Sequence, residues 1–301
     1  MNIAEIYEQH YYPAQARKCR ANTMEGYDSS VRLHVLPRWG ACEIDEIDPD
    51  ELEAWCDSFE RRGAAKKAFK CLRQIIRWAI AKFRLRVFDP TRCVEEPKTP
   101  HYRPKVLEAD ELVAMQRGFW GHELEALVLI DTSLGARRGE ACAVNPKRDI
   151  DWKTGAVRLG PSAQVVKGRR MLFGPKTERS DRVVYLPRYV LRRLRQIARN
   201  MTDVTCGLTP DQAARRIKSW CEKRGLPHVS MTNNRHTWAT VAIESGASIE
   251  RVSMILGHTD IGTAYDHYIV LRKTVCQEVQ EGFERYVFKH APKLEPMQGV
   301  A

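Results

Sequence analysis

The sequence predicts a mainly α-helical protein with a small antiparallel β-sheet, divided into two domains. Three observations predict it. Residues 62–83, RGAAKKAFKCLRQIIRWAIAKF, repeat apolar side chains at helical spacing. Residues 97–105, PKTPHYRPK, hold three prolines and no apolar periodicity, as an extended linker does. Between 149 and 187, short alternating runs replace the helical pattern. With 301 residues, 43% of them apolar, neither domain is short of core. The expected division is a helical domain over 1–96, a linker over 97–104, a second domain over 105–290 and a flexible tail over 291–301.

Within 62–83, Phe69, Leu72, Ile76, Ala79 and Phe83 form one stripe. Lys66, Lys70, Arg73 and Arg77 form a second, roughly a third of a turn away. A helix that buries one face and offers cations on the next suits a DNA backbone; a solvated basic face is the other reading. Beyond the linker, LEADELVAMQRGF starts a helix, and residues 122–144 also read as helices. DIDWKTGAVRL (149–159) reads as a turn and strand, and MLF (171–173) and DRVVYLP (181–187) as two more strands enclosing the turn GPKTERS. Pro187 suits the first turn of a helix carrying Val190, Leu191, Leu194 and Ile197. Thr209-Pro210 is an N-cap followed by proline at the first helical position. Ser248 caps a helix with Ile249, Val252, Ile255 and Leu256 inside, closed by Gly257. Val275, Val279, Phe283 and Val287 mark an amphipathic tail helix over 274–291.

Lys and Arg exceed Asp and Glu by 49 to 38, a net charge of +11, which favours a polyanionic partner. The charges are also segregated. Residues 43–60 carry nine acids and no base, and residues 61–92 eleven bases and one acid, Asp89. No stretch approaches the roughly 18–20 apolar residues of a membrane span. MNIAEIYEQHYYPAQ lacks the apolar core of a signal peptide, so a cytoplasmic protein is expected. The nine cysteines form no CxxC pair, which predicts reduced, mostly buried thiols and neither a zinc site nor a disulfide framework.

Four stretches carry the chemistry: SLGARRGEACAV (133–144), FGPKTERSDRVVYLP (173–187), MTNNRHTWAT (231–240) and LGHTDIGTAYDHYI (256–269). In this order and spacing they resemble the catalytic domain of the tyrosine recombinases, the phage-integrase family, over about residues 105–290. More loosely, TMEGYDSSVRLHVLPRWGACEIDEIDP resembles that family's helical core-binding domain. The chain opens almost on this region, so the expectation is a simple two-site system, or one helped by accessory proteins, without an extra N-terminal arm-binding domain.

The resemblance assigns roles. The first arginine, in Gly-x-Arg-x-Gly-Glu, is Arg137, not Arg138. The β-hairpin lysine is Lys176, the second arginine, just before His-Thr, is Arg235, and the histidine of Leu-Gly-His is His258. The nucleophilic tyrosine follows that histidine by nine or ten residues, which selects Tyr268, ten residues on, over Tyr265, seven on. Where the family commonly has a histidine, three residues before the second arginine, this chain has Thr232; where it has leucine just before that arginine, this chain has Asn234.

The chemistry explains these residue types. Tyrosine, with a pKa of about 10, reaches the phenolate at pH 7 at a cost of roughly 4 kcal/mol, and the phosphodiester repels it. Arg137 and Arg235 would bind the non-bridging oxygens and stabilise the charge at pentacoordinate phosphorus. Lys176 would give a proton to the departing 5′-oxygen, and His258 a hydrogen bond to the phosphate. Glu140 would orient the cationic groups, and Thr232 would keep a hydrogen bond to phosphate while His258 or water serves as base. The product would be a 3′-phosphotyrosine and a free 5′-hydroxyl, and the reaction would need no metal, cofactor or ATP.

The resemblance implies a C-shaped clamp on double-stranded attachment sites, a homo-tetramer on DNA, and a phage or mobile element as the source. Accessory DNA-bending or directionality proteins fit the same picture. The tail helix packs either into a neighbouring subunit or on its own chain. Two rivals share the scaffold: a non-catalytic DNA-binding protein with a decayed site, and a type IB topoisomerase-like enzyme that relaxes DNA without sequence preference.

Overall fold

The computed structural model describes residues 1–100, 102–175 and 181–257. Lys176, His258, Tyr265, Tyr268 and the tail helix expected over 274–291 lie outside the described residues. The chain separates into two compact units. The first is Met1–Tyr102 with Val165–Met171, and the second opens at Arg103.

The first unit is helical: α1 (Ile3–Glu5), α2 (Tyr12–Ala16), α3 (Ala21–Ser30), α4 (Leu36–Trp39), α5 (Pro49–Asp57) and α6 (Arg62–Phe83). Between α1 and α2, and again between α3 and α4, the backbone widens into π-helical turns at Ile6–Tyr11 and Val31–Val35. Each turn leads into a proline, Pro13 or Pro37. Proline has no N–H, and its ring pushes away the carbonyl four residues back, so the hydrogen-bond ladder slips rather than breaks. Asp48 caps α5 by accepting the Asp50 and Glu51 N–H groups, with Pro49 at the first helical position. α6 spans the residues that its periodicity predicts. Phe69, Leu72, Ile76 and Ala79 are fully buried among Val31, Val35, Trp39 and Leu52, and Phe83 packs at the edge of that core.

The second unit comprises α7 (Ala109–Gly118), α8 (Glu125–Ser133), α9 (Arg138–Ala141), α10 (Pro146–Asp149), β1 (Ala156–Leu159), β2 (Ser162–Val166), β3 (Arg169–Phe173), β4 (Arg182–Tyr185), α11 (Arg188–Ile197), α12 (Pro210–Arg224), α13 (Met231–Glu244) and α14 (Ile249–Leu256), apart from the stretch of β2 and β3 that groups with the first unit. α8 is central: every one of its residues is buried, and α7, α9, α11 and α13 pack around it. Thr209 caps α12, and Ser248 caps α14, which Gly257 closes in the left-handed conformation with φ 69°.

The strands differ from those expected. β2 is an addition to them, and there are two two-stranded sheets rather than one among the described residues. β3 pairs with β2 through a tight turn in which Lys167 and Gly168 both take positive φ. β4 pairs antiparallel with β1, Ala156 opposite Tyr185 and Leu159 opposite Arg182. The runs on either side of GPKTERS are therefore not partners, and each finds its mate earlier in the chain. None of the described cysteines is joined in a disulfide; Cys56, Cys71, Cys142 and Cys221 are buried, while Cys93 and Cys206 are exposed. Among the described residues no helix is long and apolar enough to cross a membrane.

Candidate active site

The glycines of GARRGE are set by close packing. Gly135 has φ +59°, and a Cβ there would lie 2.6 Å from Trp238 and 2.9 Å from Leu256. A Cβ on Gly139 would come within 2.8 Å of the Ala163 carbonyl oxygen in β2. Between them Arg137 stands at the N-cap of α9 in extended conformation, with φ −68° and ψ 149°.

Glu140, in the same short helix, is the hub of the site. Its side chain is only 4% exposed. It accepts the Arg137 backbone N–H at 2.9 Å, Arg137 Nη1 at 2.8 Å and Arg182 Nη2 at 2.9 Å. Burial pushes the carboxyl up, but the bonds and charges of Arg182 and Arg137 together outweigh it and hold the group below its ordinary value. The hub therefore stays anionic and locks two guanidiniums in place.

Three arginines meet at the C-terminus of α14. Arg182 Nε donates to the Ile255 carbonyl at 2.7 Å, Arg235 Nη2 to Leu256 at 2.8 Å, and Arg137 Nη2 to Gly257 at 3.3 Å. The last carbonyls of a helix lack intrahelical partners and carry the negative end of its dipole, so each is a natural seat for a cation. Arg235 Nη1 also donates to the Gly135 carbonyl at 2.9 Å, which ties α13 to the turn before α9. Arg235 is buried, whereas the Arg137 side chain is 44% exposed. Two guanidiniums anchored on adjacent carbonyls, one buried and one open to solvent, form a cationic centre directly before the Gly257-His258 step.

Of the residues singled out in the sequence, Arg137, Glu140 and Arg235 are thus brought together. Arg138 turns to Asp211, 2.7 Å away. Thr232 is exposed on α13, three residues before Arg235 and so close to the same helical face. Lys176, His258 and Tyr268 lie outside the described residues. In the first unit, Lys66, Lys70, Arg73 and Arg77 share one row of α6, but the row carries its own counter-charges. Lys66, Lys70 and Arg73 lie 3.5, 3.2 and 2.6 Å from Glu96, and Arg77 lies 3.0 Å from Asp89. Helical spacing within 62–83 does not reveal Glu96, which returns from beyond the helix.

Arg182 is the residue that the motif reading passes over. A signal for it exists: along β4, Arg182 and Val184 point inward while Val183 and Tyr185 are exposed. An arginine in register with a buried valine needs a buried anion, and Glu140 is that anion. Among the described residues no three His, Cys, Asp or Glu side chains are grouped to hold a metal ion.

Residues 108–274 match the model of the phage integrase family. The chain belongs to the phage integrase family. It is a tyrosine site-specific recombinase, an enzyme that acts on DNA. Relatives in this family include the tyrosine recombinase XerC of Xanthomonas campestris pv. campestris, 26% identical over 274 residues covering 83% of this chain and 80% of that protein. The integrase of Mycobacterium phage D29 is 25% identical over 261 residues, 81% of this chain and 68% of that protein. In fold, the chain is similar to the Tn1549 transposon integrase solved with transposon right-end DNA, with a TM-score of 0.75, 15% identity, and 94% and 100% of the two chains covered. It is likewise similar to the lambda integrase solved as a tetramer on a Holliday junction, with a TM-score of 0.67, 16% identity, and 88% and 77% covered.

Proposed function

We propose that this chain recombines double-stranded attachment sites of a phage or other mobile element through a 3′-phosphotyrosine intermediate, working as a homo-tetramer on DNA. The observation that carries the reading is the seating of Arg137 and Arg235 on the adjacent carbonyls of Gly257 and Leu256. It puts two fixed guanidiniums at the entry to the stretch that holds His258 and Tyr268.

In this reading the Tyr268 oxygen attacks phosphorus, and Arg137 and Arg235 take the charge that builds on the non-bridging oxygens. The P–O5′ bond breaks, and Lys176 passes a proton to the leaving 5′-oxygen, which departs as the 5′-hydroxyl. The phosphotyrosine keeps the bond energy until a second 5′-hydroxyl attacks it. Glu140 positions Arg137; Thr232 hydrogen-bonds the phosphate, and His258 or water takes the tyrosine proton. Lys66, Lys70, Arg73 and Arg77 contact the DNA backbone, with Glu96 and Asp89 as internal competitors for those cations. The 274–291 helix exchanges between subunits, and accessory DNA-bending or directionality proteins act on the assembled complex. The protein works in the cytoplasm, where its substrate is.

The test is a nicked suicide substrate bearing a core site selected on the protein from random duplexes. Wild type is expected to give a covalent protein–DNA band under denaturing conditions, and Tyr268→Phe none. A band that persists in Tyr268→Phe moves the chemistry to another residue, Tyr265 first. No band from wild type on DNA that it binds leaves a non-catalytic binder on this scaffold.

A further inference from the structure

Asn234, one residue before Arg235, is buried, and so is Asp131 in the last turn of α8. Asn234 Nδ2 donates to Asp131 Oδ2 at 2.6 Å. The other oxygen of each residue, Asp131 Oδ1 and Asn234 Oδ1, is buried with no hydrogen-bond partner among the described residues. Two bare oxygens beside an existing hydrogen bond are what a carboxylate leaves next to an amide. A single proton on Asp131 Oδ1, donated to Asn234 Oδ1, would remove the deficit at both, because a carboxylic acid and a primary amide each offer one donor and one acceptor.

We propose that Asp131, protonated at Oδ1, and Asn234 close a two-hydrogen-bond acid–amide ring that fixes the register of α13 on α8 and so positions Arg235. The inference rests on the reading of Arg235 as a phosphate-binding residue. Consecutive residues of α13 grip one short segment of chain: Asn234 holds Asp131, and Arg235 holds the carbonyl of Gly135 at 2.9 Å. A slip of α13 along α8 would break both grips and pull Arg235 off Leu256. The polar residue at 234 is then no sign of decay. A buried leucine there would strand Asp131 in an apolar core, so the two positions make sense only as a pair.

The environment favours the protonated acid. Burial pushes Asp131 up to about 7, against the opposing pull of the Asn234 hydrogen bond and the Arg138 charge. Asn234 and Arg138 are the groups that act on it, and Arg138 is drawn off by Asp211.

The decisive variant is Asp131→Asn. It keeps the shape, carries no charge at any pH, and supplies an N–H to Asn234 Oδ1 from its own amide. The ring predicts that Asp131→Asn cleaves suicide substrate within about threefold of wild type. Asp131→Leu and Asn234→Leu each leave one polar group bare and are expected to lose at least about tenfold in the cleavage rate of the bound complex, with DNA affinity little changed. Asp131→Leu/Asn234→Leu removes both groups and is expected to recover much of that loss. Infrared difference spectra of the full chain at pH 6 with 13C-labelled aspartate are expected to show a carboxylic-acid C=O band that Asp131→Asn removes. Absence of that band, or an Asp131→Asn variant as damaged as Asp131→Leu, overturns the ring. Single leucine variants that fold and cleave at the wild-type rate overturn the positioning role. Should the leucine variants fail to fold, the spectrum and Asp131→Asn still decide. The spectrum and the pH dependence of stability need no DNA, so a wild type that never cleaves sinks the functional reading without touching the ring.

Discussion

The Arg182–Glu140 pair is the most exacting test of the hub. Both side chains are shielded, 10% and 4% exposed, and 2.9 Å apart. Removing one partner of a buried pair costs about 3–5 kcal/mol, because the other is left charged in low dielectric. Here Arg137 keeps two bonds to Glu140, so the carboxylate is not stranded and the cost falls to the low end. The Ile255 carbonyl also loses its donor, a further ~1 kcal/mol. Arg182→Met is therefore expected to lose about 4 kcal/mol, roughly 900-fold in the folding equilibrium of the second unit. Urea titrations at pH 7 on wild type, Arg182→Met, Glu140→Gln and the double variant read both the cost and the coupling. A coupling of at least about 1.5 kcal/mol is expected from residues in direct contact. A loss below ~0.5 kcal/mol for Arg182→Met, or effects that simply add, would refute the hub.

Glu96→Gln releases Lys66, Lys70 and Arg73 from their shared carboxylate, so non-specific DNA affinity should rise and the log–log salt slope steepen by up to about one unit for each additional phosphate bound; fluorescence anisotropy across a salt series checks it, and an unchanged slope would mean that the row does not meet DNA. Gly135→Ala adds a Cβ at 2.6 Å from Trp238 on a backbone of positive φ, and should lower the melting temperature and abolish cleavage together. Two buried carboxyls give pH effects of opposite sign. Glu140, held low, contributes stability above its unfolded pKa that is lost as pH falls through its folded value; Asp131, raised to about 7, contributes stability below its unfolded pKa that is lost as pH rises through about 7. The Asp131 loss is on the order of 4 kcal/mol from about three units at about 1.4 each, it accrues between the unfolded pKa and about 7, and the fall in melting temperature that it causes between about pH 4 and 7 should be absent in Asp131→Asn. Thr232→His restores the imidazole that the family commonly has and should change the rate of covalent complex formation; an unchanged rate would remove Thr232 from the phosphate site.

How much of the fold and site is legible in the sequence depends on the range of the interaction. α6 is readable to its ends because its apolar stripe repeats within one segment. The caps Thr209 and Ser248 and the closing Gly257 are readable because a cap acts over three residues. The order of Arg137, Glu140 and Arg235 is readable as a motif, although the motif does not say why its glycines are glycines. Gly135 is required by Trp238, about a hundred residues on, and Gly139 by β2, a strand that the alternation of side chains does not predict.

What the sequence determined alone, then, is the local grammar: helix positions, their caps and the family motif that holds Arg137, Glu140 and Arg235. Only the tertiary structure decided which charges neutralise which. Glu96 closes on α6, Arg182 crosses 42 positions to Glu140, and Asn234 crosses 103 positions to Asp131. The physical reason is range. A helix is chosen by neighbours one turn away, whereas a buried ion pair or acid–amide contact forms only once chain closure has excluded water from two distant groups at the same point.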